Sequence, residues 1–177
     1  MKKLIAALPV LVLCAHFASA HEGNEHIMHM PTVMPKEFDQ MRNLLGTWEG
    51  TADMGDGKEQ PVKAVYELTS GGTAITEKLM PGTTHEMTTI FYKDGKSVAL
   101  THYCAMGNHP EMKLKSADGK TLNFEMKGTA GIASAQEEHM HALAITTPDA
   151  NTLQEEWTNY ADGKKKMTAK FKLKRKI

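Results

Sequence analysis

Cysteine is nearly absent from this chain of 177 residues, which has two. Cys14 lies in the opening segment MKKLIAALPVLVLCAHFASA, where two lysines precede an apolar stretch and Ala18-Ser19-Ala20 supplies small residues at a cleavage point. Residues 1–20 are therefore expected to be a signal peptide cut after Ala20, with the product periplasmic or secreted. A lipoprotein-type cut before Cys14 would want a small residue ahead of it, and Leu13 is not small. Cys104 is then left alone. A lone cysteine in an oxidising compartment cannot close an internal disulfide, so it must be buried, reactive, ligated or bridged to another chain.

An excess of one charge is missing too. Without Lys2 and Lys3 the chain has 19 basic side chains against 21 acidic ones, which gives no footprint for nucleic acid or an anionic membrane surface. The apolar run of the leader is too short for a permanent membrane anchor, so no stable insertion is expected after cleavage. No internal repeat, long linker or second domain is visible. The remaining 157 residues suit one domain with a single core.

Histidine and methionine are concentrated at the start of that chain. Residues 21–34, HEGNEHIMHMPTVM, have no amphipathic period and are expected to form a flexible arm. The same composition offers copper ligands in His21, His26, Met28, His29 and Met30, thioethers favouring Cu(I). From residue 35 to 177 the pattern is that of a folded domain. PKEFDQMRNLLG spaces Phe38, Met41 and Leu45 as a short amphipathic helix ending at Gly46. Alternation with a period of two then predicts strands at Thr47–Asp53, Val62–Thr69, Thr73–Met80, Thr84–Lys93, Lys96–Cys104, Glu111–Ser116, Thr121–Lys127, Glu137–Thr146, Thr152–Tyr160 and Lys165–Lys174. Turn sequences such as SGG, KDGK, TPDAN and a twice-used ADGK separate them. About ten short strands after one helix predict an all-β fold: a closed antiparallel meander barrel, since closure removes the exposed edges of so long a sheet.

The stretch LLGTWEG resembles the G-x-W opening of the lipocalin-like, or calycin, β-barrel superfamily. That resemblance implies that Trp48 closes one end of the barrel and that an arginine of the last strand, here Arg175 in KFKLKRKI, covers it. The ten-strand count and the LLGTW opening are similar to the nitrobindin branch, whose barrels bind haem. The text from Tyr66 to Arg175, including THYCAMGNHPEM and HMHAL, looks like a group of secreted bacterial calycin-like proteins. A shared barrel says little about function.

Residues two apart on a strand share a face. Val98 and Leu100 should therefore carry His102 and Cys104 inward, and Leu143 and Ile145 should carry His139 and His141. A two-residue turn at Asp94-Gly95 would place Phe91 opposite Val98, Met87 opposite His102 and His85 opposite Cys104. Glu155 follows Leu153 and Trp157 inward, and Glu77 follows Ile75 and Leu79. Such a polar interior costs several kcal/mol unless its members satisfy one another or a ligand. His102, Cys104, His139 and His141 form a Cys-His₃ set suited to zinc or copper. Haem with one axial histidine is a second expectation, implied by the resemblance, and a small apolar molecule a third. The leading functional expectation is a binding protein. A structural barrel without ligand, and an enzyme with Cys104 as nucleophile and His102 or His139 as base, are the alternatives. Against catalysis, side chains two apart on a strand point in parallel, and GNHP matches no nucleophile turn.

Overall fold

The computed structural model describes residues 33–177. The leader and most of the His/Met-rich arm, including Cys14, His21, His26, Met28, His29 and Met30, lie outside the described residues. One short helix, α1 (Lys36–Arg42), leads into ten strands: β1 (Gly46–Asp53), β2 (Glu59–Thr69), β3 (Ala74–Leu79), β4 (Met87–Asp94), β5 (Ser97–Tyr103), β6 (Glu111–Ala117), β7 (Thr121–Met126), β8 (His139–Asp149), β9 (Thr152–Ala161) and β10 (Lys164–Arg175). Each strand pairs antiparallel with its sequence neighbours, and β1 pairs with β10, so the sheet closes into a barrel. This is the ten-stranded meander that the alternation predicts, a calycin-like architecture.

Alternation explains the wall. On β10, Ala169, Phe171 and Leu173 are buried while Lys170, Lys172 and Lys174 face water. On β9 the inward row is Leu153, Glu155, Trp157 and Asn159. Burial of each large apolar side chain contributes roughly 1.5–3 kcal/mol, which is why the period of two specifies the register so firmly.

One end of the barrel is shut. Phe38 and Met41 of α1, with Leu44 beyond it, are buried against Trp48. Leu44 rather than the expected Leu45 turns inward, because the helix ends at Arg42. The Trp48 indole N–H donates to the Leu44 carbonyl at 2.7 Å. Arg175 lies 4.1 Å over the Trp48 ring and donates to the carbonyls of Leu45 and Asn43, both at 2.6 Å, and of Ala150 at 3.0 Å. A planar guanidinium supplies these donors while stacking on the indole. Gly46 holds φ +121°, and a Cβ there would sit 3.2 Å from the Arg175 guanidinium, so glycine is required. Met34 also packs against the core, so the end of the expected arm belongs with the barrel.

Candidate functional site

Three hairpins bring a polar row into the lumen. Tyr66, Glu77, Thr89 and His102 are successive cross-strand partners on β2, β3, β4 and β5, and all four are buried. The β4–β5 register differs by two residues from the expected one: Asp94 pairs with Ser97, Phe91 with Leu100 and Thr89 with His102. The turn is centred on Gly95-Lys96 rather than Asp94-Gly95, so Met87 does not face His102.

From the opposite wall, β9 reaches across. Tyr66 lies 2.7 Å from Glu155 and 3.1 Å from Glu77 through its hydroxyl. The Trp157 indole donates to Glu155 at 3.1 Å. The barrel is thus narrow enough here to be stapled side to side. Burial, and then the charge of Glu155, push the Glu77 carboxyl well above its ordinary range, and burial raises Glu155 too. His102 packs against Trp157 with ring centres 4.3 Å apart and planes tilted by 38°, and bonds Thr89 through Nδ1 at 3.0 Å. Burial pulls its pKa down to about 4, so the ring is neutral, and its Nε2 is buried without a partner.

Beyond this layer, at the end away from Trp48, the barrel opens into a cavity of about 830 Å³. Its wall is sulfur-rich. Met54, Met80, Met87, Met106, Met140 and Met167 line it with Cys104, while no leucine or isoleucine does. His85 and Glu138 also line it, His85 from the exposed β3–β4 loop. Asn159 reaches the same cavity from β9; it is 2 % exposed, and its side-chain oxygen has no partner.

Two bulges build part of this wall. Register shifts lie between Met140 and Ala142 on β8 and between Lys165 and Met167 on β10, on the two sides of Asn159 in β9. Met140 and Met167 consequently pair with Asn159, whereas His139 and Lys165 pair with Tyr160 on the other face. An extra residue in one strand reverses which face the residues beyond it occupy.

The same bulge corrects the expectation for His139 and His141. Both turn to the outer face, where His141 stacks on Tyr160 at 3.9 Å. His139 Nδ1 donates to the Glu137 carbonyl at 2.6 Å, which leaves its Nε2 to accept from His141 Nδ1 at 3.1 Å. His102 lies in the buried layer, Cys104 in the cavity wall and the β8 pair on the outer face of its strand, where His139 is nevertheless covered to 2 % exposure. Among the described residues no group of three or more His, Cys, Asp or Glu side chains stands ready to hold a metal ion, so the Cys-His₃ set does not assemble. No hydrogen bond joins Cys104 to His102 or His139 among the described residues, and burial pushes the Cys104 thiol up, the reverse of what an activated nucleophile needs.

Glu155 and Glu77 do face inward, but they engage Tyr66 and Trp157 rather than the cavity. The clustered methionines are what sequence reasoning missed. Their signal lay in spacing: Met87 two residues after His85, and Met106 two after Cys104.

No family model matches this chain, and no curated protein matches it.

Proposed function

We propose that this protein is an exported, non-catalytic binding protein that holds a small ligand in the cavity at the open end of its barrel. The observation that carries this reading is the cavity itself. Its volume falls within the roughly 300–1,000 Å³ of small-molecule sites, which combine apolar walls with a few placed polar groups. Asn159 is such a group: an orphaned buried carbonyl costs about 1–3 kcal/mol, which a donor on a bound ligand would offset. Methionine, with three rotatable bonds, lets the wall adapt to what enters.

Haem, the ligand that the nitrobindin-like resemblance implies, fits these residues poorly. Among the described residues, His85 on an exposed rim loop is the histidine that lines the cavity, while His102 is held between Thr89 and Trp157 below it and the β8 pair lies on the outer face. Export rests on the leader, and the mass of the protein recovered outside the cytoplasm tests cleavage after Ala20.

Titration of the full chain with the fluorescent probe anilinonaphthalene sulfonate tests the site. Saturable binding near one equivalent is expected, and it should disappear when the cavity is filled by Met140→Trp with Met167→Trp. Equal probe binding by the filled variant would sink the proposal.

A further inference from the structure

The cavity reading leaves the chemistry of the ligand open, and the composition of one wall narrows it. Cys104 follows β5 directly, and Met87 opens β4. The last paired residues of that ladder are Thr88 and Tyr103, so Met87 and Cys104 stand opposite one another one step further on. His85 precedes Met87 by two residues, and Met106 follows Cys104 by two. All four line the cavity. One imidazole, two thioethers and one thiol therefore line the cavity rim where two neighbouring strands end, His85 and Met106 (44 % exposed) from the loops and Met87 and Cys104 from the strand ends.

Both supporting loops are tied down. Cys104 N–H donates to the Asn108 carbonyl at 3.0 Å, and Gly107 N–H to the Cys104 carbonyl at 3.0 Å. Asn108 in turn donates to Glu137 Oε1 and the Glu138 carbonyl, both at 2.8 Å. On the other side, Gly82 N–H donates to Glu86 Oε2 at 2.6 Å, and His85 N–H to Thr83 Oγ1 at 3.1 Å. The sulfur atoms thus hang from fixed backbone on flexible side chains.

A merely apolar wall does not explain the choice of residue. Leucine and isoleucine build the buried interior, as Ile75, Leu79, Leu100, Leu143, Ile145, Leu153 and Leu173 show, yet the cavity has neither. Besides the flexibility already noted, thioethers differ from leucine in offering a soft lone pair. Soft thiolate and thioether ligands select Cu(I), imidazole accepts it, and Mg²⁺ and Ca²⁺ want oxygen instead.

Resting on the cavity reading, we propose that His85, Met87, Cys104 and Met106 form a Cu(I) site at the open end of the barrel. Met140 and Met167, with the Asn159 carbonyl, supply the facing wall. Cu(I) displaces the thiol proton of Cys104, which leaves to solvent, and no electron changes hands.

The test is anaerobic competition of the full chain against the chromophoric chelator bicinchoninate, with Cu(I) as the only metal. Cys104→Ser keeps the size of the side chain, and the double variant Met87→Leu with Met106→Leu keeps the volume and apolarity of the wall. Near-ultraviolet circular dichroism of the buried tryptophans checks that they fold. In every sample, parent included, His21, His26, Met28, His29 and Met30 are replaced by alanine so that the arm takes up no copper. Both variants are expected to hold one equivalent of Cu(I) at least about tenfold more weakly than the parent, since even outer-shell changes cost that much. Anilinonaphthalene sulfonate should bind them as before. Competition by the variants equal to the parent overturns the Cu(I) site. A parent that takes up the probe but no copper overturns the metal assignment and leaves the cavity reading standing, and one that takes up neither overturns both.

Discussion

Tyr66 has one hydroxyl hydrogen and two carboxyl neighbours, so the two contacts cannot both be its donations. The shorter contact, 2.7 Å, goes to Glu155, which also accepts from Trp157. The proton of the pair therefore belongs on Glu77, whose O–H donates to the Tyr66 oxygen. The Glu77 pKa is raised above its ordinary value of 4.5 in the folded protein. Below that value folded and unfolded chains are both protonated, and the full stability is present. As the pH rises through the folded value the stability is lost, because the unfolded chain releases the proton more readily. Glu155, also raised, adds to the same slope, whereas His102, lowered from 6.5 to about 4, gives a slope of opposite sign between those values that is common to parent and variant and cancels in their comparison. Glu77→Gln keeps a donor for Tyr66 and removes the ionisation. It should stabilise the protein at pH 8 by more than about 1 kcal/mol and lose that advantage near pH 4, as read from urea unfolding at both values. An advantage equal at both would place the proton elsewhere.

On β8 the pairing itself shows which residue is extra. His139 pairs with Tyr160, Met140 with Asn159 and Ala142 with Thr158, which leaves His141 without a β9 partner. The β7 ladder ends one residue away, at Glu125 and Ala142. Deleting His141 should therefore straighten the strand and keep every other pair, at a cost below about 2 kcal/mol in chemical denaturation. Deleting Ala144 should instead reverse the inward row and prevent folding. If both deletions unfold the barrel, the bulge is structural rather than inserted. This element also marks the limit of what the sequence makes legible. Alternation with turn signals locates all ten strands, the Trp48 end and the inward Glu77, Glu155 and His102, because each depends on neighbours two residues apart. In EEHMHALAIT nothing distinguishes a bulged His141 from a regular one, since the shift is fixed by β9 across the ladder. The two-residue slip at Gly95 keeps every face, so only partners change. The methionine wall joins residues from six separate segments, and no local pattern reports that.

At the scale of the molecule, the β1–β10 seam is, among the described residues, the one strand pairing not made between sequence neighbours. Trp48 pairs with Arg175 and Asp53 with Lys170 across it. Truncation after Thr168 removes all of that seam and bares the edge of β1 and most of that of β9. Such a chain should self-associate, with light scattering giving more than a monomer mass under conditions where the parent's is smaller. A truncated chain with the mass of a single parent would refute this. The seam also imposes an order in time. Chains emerge N-terminus first at roughly 5–20 residues per second, so β1 is made about ten seconds before the strand that completes it. During that interval each hairpin can zip as it appears, yet the sheet keeps one open flank and Trp48 has no guanidinium above it. The final residues of β10 therefore act as a latch, and the barrel reaches its closed form only after they have been made.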